Sequence, residues 1–259
     1  MAVLKVDNLS ISFGGLKAID SLSFEVEEKA IYGLIGPNGA GKTTVFNCIS
    51  RFYTPDEGDI IFNNDIDLQK YRVHDVVKVG LVRTFQNVEL FKSMTVLENI
   101  IIGQHSNTKG GILAQGLYLP KVRKEEKRIR EKALGIMDFL GIRGIEHYPV
   151  AGQPYGVMKL IEIGRALMTD PKLLLLDEPA AGMNSKETEA LTDLIRRIRD
   201  EYDMTIVLVE HDMSLVMNAC ERICVINFGA KIAEGTPAEI QDHPGVQEAY
   251  LGEEASADA

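Results

Sequence analysis

Gly36-Pro37-Asn38-Gly39-Ala40-Gly41-Lys42-Thr43-Thr44 follows the apolar run Ile31-Tyr32-Gly33-Leu34-Ile35 and precedes the helix-compatible Val45-Phe46-Asn47-Cys48-Ile49. The stretch fits GxxxxGK[ST] between a strand and a helix, the context that pattern requires. Glycines let the backbone curl until several N–H groups converge, and the positive end of the next helix adds to them. Such a loop can hold a polyphosphate. In that cradle Lys42 neutralises β- and γ-phosphate charge, and Thr43 offers a hydroxyl to Mg²⁺.

The remainder of the composition narrows the class. With 259 residues, 45% of them hydrophobic, the chain can build one large α/β domain or one domain with a subdomain. A formal net charge of −10 removes the electrostatic footprint that non-specific DNA or RNA binding needs. The stretch Met1 to Asp7 enters alternating apolar and polar residues and lacks the apolar core of a signal peptide. No apolar run reaches the ~18 residues of a membrane-spanning helix. Work at a membrane therefore requires other chains to supply the spans. Cys48, Cys220 and Cys224 form no CxxC pair and read as reduced core residues of a cytosolic protein.

Upstream of the loop, Leu4 to Val6, Leu9 to Phe13 and Leu22 to Val26 alternate apolar with polar, broken by Gly14-Gly15 and Glu27-Glu28-Lys29. This predicts an antiparallel sheet. By position alone Phe13 is an ordinary strand aromatic; brought over the loop it would stack on adenine, worth ~1–3 kcal/mol. Downstream, a strand over Asp59 to Phe62 closes on Asn63-Asn64-Asp65, a helix over Val73 to Val79 ends at Gly80, and Leu81 to Phe85 reads as a buried strand ending in Gln86. From about residue 93 to 168 the character changes to helical segments, Thr95 to Ile102 and the charge-dense Lys121 to Leu140. That part is predicted to be a helical subdomain inserted into the α/β core, its charge run a solvated face.

The core resumes at Leu173-Leu174-Leu175-Leu176-Asp177-Glu178. Four leucines suit a fully buried parallel strand, and the carboxylates emerge where it ends, at the edge where open α/β sheets bind ligands. Asp177 can hold Mg²⁺ directly or through water, and Glu178 can orient or deprotonate an attacking water. An amphipathic helix over Lys186 to Glu201 leads to Thr205-Ile206-Val207-Leu208-Val209-Glu210, a buried strand that delivers His211. An imidazole there can contact a γ-phosphate and the nearby water. A hairpin over Arg222 to Ala233, turning at Phe228-Gly229, and a short helical end complete the core.

Taken in order, Phe13, the Gly36 to Thr43 loop, Gln86 within Arg83-Thr84-Phe85-Gln86, Asp177-Glu178 and His211 resemble the ATP-binding subunit of ABC transporters over nearly the whole chain. Asp177 to Asn184, Glu210-His211-Asp212-Met213 and Gly235-Thr236-Pro237 look more narrowly like the LivG-type subunit of branched-chain amino acid importers. The resemblance implies a P-loop NTPase core with an N-terminal antiparallel β subdomain and an inserted α-helical subdomain. It implies a single ABC ATPase domain divided as residues 1–92 and 169–252 for the core, 93–168 for the helical and signature part, and 253–259 for a disordered acidic tail. It implies hydrolysis of ATP with Mg²⁺ held by Thr43, Gln86 and Asp177, Glu178 as base, and His211 at the γ-phosphate. A second ABC ATPase subunit would complete the sites, and integral-membrane permeases, fed by a solute-binding protein, would be driven at the cytoplasmic face of the cell membrane. Asn184 stands at the D-loop position where many relatives have Asp. A soluble ABC-type ATPase of translation or repair, and a regulatory ATP-binding module, are the competing classes; no [NT]KxD guanine motif supports a GTPase.

One departure concerns the signature, commonly Leu-Ser-Gly-Gly-Gln, which aligns with Gln153-Pro154-Tyr155-Gly156-Val157 and leads into a helix expected over Met158 to Leu167. A helix N-terminus still offers backbone N–H groups from Tyr155 and Gly156 to the partner's γ-phosphate, but Pro154 has neither hydroxyl nor N–H and Val157 no polar group. The signature is thus expected to support weakly the composite site it completes. Introducing Pro154→Ser and Val157→Gln together should raise steady-state ATPase of the assembled transporter; unchanged affinity and turnover would overturn that expectation.

Overall fold

The computed structural model describes residues 1–85, 88–104 and 120–257. Two units arise, Met1–Arg83 with Lys172–Ala259, and Thr84–Pro171. In chain order the first unit holds β1 (Ala2–Phe13), β2 (Leu16–Glu27), β3 (Ile31–Ile35), the helix Lys42–Ile49, β4 (Glu57–Phe62), β5 (Ile66–Asp67) and β6 (Leu81–Arg83). It continues with β7 (Leu173–Asp177), the helix Ser185–Glu201, β8 (Thr205–Val209), the helix Met213–Ala219, β9 (Arg222–Asn227), β10 (Ala230–Gly235) and the helices Pro237–Gln241 and Pro244–Ala257.

The period-2 alternation of the first strands becomes a four-stranded sheet in the order β2-β1-β4-β5, with every pairing antiparallel. Its inner face carries Leu4, Val6, Leu9, Leu22, Phe24, Ile60 and Phe62, all buried. Asn63 and Asn64 take left-handed φ values of 51° and 72°, which Asn tolerates, and turn the chain into β5, a strand the sequence pattern did not announce.

The apolar runs form a second sheet in the order β10-β9-β3-β8-β7-β6. Strands β6, β7, β8, β3 and β9 are parallel to their neighbours, and β10 closes the edge antiparallel to β9. Every residue of β3, β7 and β8 is buried, as expected of parallel strands covered on both faces. Each buried Leu or Ile contributes about 1.5–3 kcal/mol. On the helix Ser185–Glu201, Leu191, Leu194, Ile195 and Ile198 form the predicted buried stripe.

Register decides where the strand ends fall. Leu34 of β3 and Asp177 of β7 both pair with Val209 of β8. The chain leaving β3, β7 and β8 therefore emerges at one edge.

The second unit packs the helices Val96–Ile102, Pro120–Phe139 and Tyr155–Leu167 through Ile100, Ala133, Ile136, Met137, Ile161, Ile163 and Leu167. Thr95 opens its helix with a capping box to Glu98. The Lys127–Glu131 pair on Pro120–Phe139 lies exposed, in keeping with a solvated face.

Four local expectations need adjusting. Val73–Val79 is a 3₁₀ helix, closed at Gly80 as expected. The strand after it stops at Arg83, because the peptide groups around Phe85 bond to side chains of Lys159 and Glu162. The helix expected from Met158 starts at Tyr155. Pro154, with φ −55°, is already shaped for that position, and its carbonyl accepts from the Met158 N–H at 3.0 Å. The terminal helix Pro244–Ala257 extends past Glu253, where the acidic composition had suggested a tail.

The Phe228-Gly229 turn fastens the hairpin to the loop after β3: Gly229 N–H donates to Ala40 O at 2.9 Å, and Asp20 N–H donates to Gly229 O at 2.9 Å. Gly229 has φ +80°, and a Cβ there would stand 2.5 Å from Ala18 O. Gly229→Ala should lower stability by about 1–3 kcal/mol, the scale of one strained backbone site, read as a lower urea midpoint with an unchanged slope.

Candidate functional site

From Ile35 the chain turns through Gly36 to Gly41 into the helix Lys42–Ile49. Gly41 caps that helix at φ +106°, and a Cβ there would lie 2.5 Å from Ile19 Cδ1 and 2.9 Å from Ala18 O. Only glycine fits this close approach. The first helical bond runs from Val45 N–H to Gly41 O at 3.0 Å, so the N–H groups of the first turn, Lys42 to Thr44, project forward beyond the helix. They carry the positive end of the helix dipole, about half an elementary charge. Lys42 is buried, and its ammonium donates to Gly36 O at 2.6 Å and Pro37 O at 2.9 Å, which holds the charge over the loop.

Asn38 to Thr44 line a cavity of about 200 Å³ together with Glu178 and His211. The three segments meet there because β3, β8 and β7 are neighbours in register. Glu178 adopts a left-handed φ of 46°, and its N–H donates to Val209 O at 2.9 Å. A non-glycine residue in that region costs on the order of 1–3 kcal/mol and persists where its surroundings fix it. His211 Nε2 lies 2.8 Å from Glu178 Oε1. The carboxylate side chain is 15% exposed and the imidazole 44%, so both can reach a ligand in the cavity.

Two residues that lay within the quoted motifs but were given no role of their own organise this edge. Glu210 is buried, and its Oε1 accepts from Ala180 N–H at 2.6 Å while Oε2 accepts from His211 N–H at 2.9 Å. One carboxylate thus ties the chain after β7 to the chain after β8. Burial raises its pKa above the ordinary value, opposed by the N–H donors and reinforced by the charge of Glu178. Arg83 is the other. Its guanidinium donates to Asp177 Oδ2 at 2.6 Å and to Asn47 Oδ1 at 2.7 Å, and it lies 5.6 Å from the Phe46 ring centroid. Both members of the Arg83–Asp177 pair are buried. Removing one partner of such a pair costs about 3–5 kcal/mol, since the other charge stays behind. A cation at the end of the short apolar run Leu81-Val82, one strand from Asp177, was the available signal.

The other expected site residues are distributed as follows. Thr43 lines the cavity, whereas Asp177, adjacent in sequence to Glu178, is engaged by Arg83. Phe13 does not line the cavity; it ends β1, half-exposed, with its ring centroid 5.1 Å from that of Tyr53 in an edge-on contact. Pro154, Tyr155 and Gly156 open the helix Tyr155–Leu167 of the second unit. Gln86 lies outside the described residues. Asn184 caps the helix Ser185–Glu201, its side chain accepting from Lys186 and Glu187 N–H groups.

Residues 19–181, more than half of the chain, match the family described as ABC transporter. The chain belongs to the ABC transporter family. Residues 230–256 of this cassette also match the family described as branched-chain amino acid ATP-binding cassette transporter. It is 44% identical to the high-affinity branched-chain amino acid transport ATP-binding protein BraF of Pseudomonas aeruginosa, over 97% of this chain and 98% of that protein. It is 42% identical to LivG of Escherichia coli strain K12, which carries the same description, over 97% and 98% of the two chains. Among solved structures, an ATP-binding cassette of an ABC transporter in its ADP conformation superposes with a TM-score of 0.84 at 34% identity, over 97% of this chain and 99% of that one. A nucleotide-free ATP-binding cassette superposes with a TM-score of 0.80 at 34% identity, over 96% and 99%. Membership carries ATP binding and hydrolysis with it, on the P-loop NTPase fold described above.

Because burial raises the pKa of Glu210, the folded cassette binds that proton more tightly than the unfolded chain does. Stability contributed by the proton is complete below the ordinary value of 4.5 and is lost as pH rises through the raised value. Glu210→Gln should therefore flatten the fall of Tm on the alkaline side of pH 4.5, measured by thermal scans across that range.

Proposed function

We propose that this cassette is the ATP-hydrolysing subunit that energises an importer of branched-chain or related amino acids. The observation that carries the hydrolytic part is the Glu178–His211 contact of 2.8 Å at the rim of the phosphate-loop cavity. The solute class rests on near-full-length similarity to BraF and LivG and on the C-terminal family match. The same similarity favours transport over a soluble role in translation or repair. No helix among the described residues is long and apolar enough to cross a membrane, which accords with permease subunits supplying the spans and with peripheral attachment at the cytoplasmic face.

The first-turn N–H groups of Lys42 to Thr44 and the Lys42 ammonium bind the phosphates of ATP and offset the charge that spreads over the γ-phosphoryl oxygens. Glu178 accepts the proton of the attacking water, and His211, whose Nε2–H meets the Glu178 carboxylate in this structure, would turn that one donor to the γ-phosphate when ATP is bound. Glu210 keeps the His211 backbone where that contact is possible. Thr43 and Asp177, with Gln86, present oxygen donors of the kind a hard divalent cation prefers, so they would hold Mg²⁺. Mg²⁺ held there would supply further neutralisation of phosphate charge. Phe13 would stack on adenine, and a second ABC ATPase subunit would present its signature to this loop while Pro154, Tyr155 and Gly156 serve the partner's loop.

The test is ATP turnover of wild type and Glu178→Gln with partner ATPase and permease subunits present. The variant should lose about 10²-fold or more in kcat, the contribution of a positioned general base, while still binding ATP. Turnover equal to wild type would remove Glu178 from the proposed role. Stimulation of wild-type turnover by a binding protein loaded with a branched-chain amino acid, and not by one loaded with a sugar, would support the solute class.

A further inference from the structure

Within the second unit, the helix that begins at the signature carries two ionisable side chains that are almost completely buried. Lys159 and Glu162 are each 2% exposed, on the same face one turn apart, with their charged ends 3.9 Å from each other. Both point at one short piece of backbone. Phe85 N–H donates to Glu162 Oε1 at 3.1 Å, and Lys159 Nζ donates to Phe85 O at 3.2 Å. The first bond grips the N–H of Phe85, and the second grips its carbonyl. Lys159 Nζ also lies 5.8 Å from the ring centroid of Tyr155, the third residue of the signature. One helical turn further on, Arg165 Nη1 donates to Glu89 O at 2.6 Å, so the same helix takes hold of the backbone again beyond Gln86.

Two charges buried here need compensation from their surroundings. Burying a cation and a carboxylate costs several kcal/mol per ion and is repaid only by close geometry and added hydrogen bonds. Here the added bonds go to main-chain groups of a segment that forms no strand at that point. Burial also raises the Glu162 pKa, an effect opposed by the Phe85 N–H, Lys159 and Arg165. Two apolar residues of similar volume would fill the space without that desolvation.

We propose that Lys159 and Glu162 are positioning residues that fasten the N–H and C=O of Phe85 to the signature helix, so that the backbone at Phe85 is set by the position of Tyr155. The inference rests on the ATPase reading above and extends it: the helix that presents the signature to one nucleotide also fixes the backbone next to the residue expected to report on the other.

Glu162→Leu and Glu162→Gln test it as a pair. Both discard the charge, but only Gln keeps an acceptor for Phe85 N–H. In the assembled transporter, Glu162→Leu should lower kcat about 10-fold with KM and ATP affinity within about 2-fold of wild type, and Glu162→Gln should restore most of the rate. Equal rates in the two variants, or a KM that moves with kcat, would overturn the proposal. Hydrogen exchange reads the same clamp without turnover: the Phe85 amide should exchange about 10-fold faster in Glu162→Leu than in Glu162→Gln, and equal rates would overturn it. Should Glu162→Leu not fold, Lys159→Met, which removes the donor to Phe85 O together with the cation beside Glu162 and Tyr155, takes its place with the same kinetic split expected and wild-type kcat as the overturning result. Wild type without ATPase activity would defeat the functional reading, whereas the exchange comparison would still decide the clamp.

Discussion

The pairing of β3, β8 and β7 in parallel register is the constraint on which the rest of the site depends. Leu34 and Asp177 both face Val209, so three chain segments far apart in sequence leave the sheet side by side. Parallel strands need both faces covered, and the fully buried residues of these three strands meet that demand. Their carboxyl ends then carry the phosphate loop, Glu178 and His211 to one cavity with no side chain having to reach far. A one-residue slip of β7 would turn Glu178 to the other face and dissolve the arrangement.

Buried charge is the second theme of the molecule. Glu210 accepts from the backbone on both sides of the cavity edge, Arg83 holds Asp177 beneath the phosphate-loop helix, and Lys159 with Glu162 grips the backbone of Phe85. Each is an ionisable group that joins separate segments through bonds that apolar packing cannot supply. Hydrogen bonds in a low-dielectric interior are strong when complete and costly when broken, which suits parts that must keep a fixed relation during turnover. Close approach acts beside these charges: Gly41 of the phosphate loop and Gly229 of the β9–β10 turn stand against Ala18 and Ile19 with no room for a side chain.

Much of this was readable in the residues. Leu173 to Leu176 and Thr205 to Val209 could hardly be anything except buried strands, and GxxxxGK[ST] between a strand and a helix specified the cradle at Gly36 to Thr43. The alternation from Leu4 to Val26 announced an antiparallel sheet, and the dense charge of Lys121 to Leu140 a helix with a solvated face. Less was readable where local pattern and tertiary demand part company. Phe85 looked like strand but bonds to side chains, and Tyr155 looked like pre-helical loop but begins a helix, because Pro154 suits its cap.

What the sequence determined by itself, then, was the alphabet of parts: strand and helix periods, a phosphate-binding loop, two carboxylates and a histidine each placed after an apolar run. These follow from short-range rules, since side-chain period and glycine freedom act over a few residues. Tertiary structure alone decided which strand lies beside which, and hence that Glu178 meets His211 rather than another partner. It alone revealed Glu210, Arg83, Lys159 and Glu162 as the ties between segments. Beyond the position of Arg83 at the end of an apolar run, a buried charge has little local signature; its meaning depends on what burial removes and which distant group replaces the lost water.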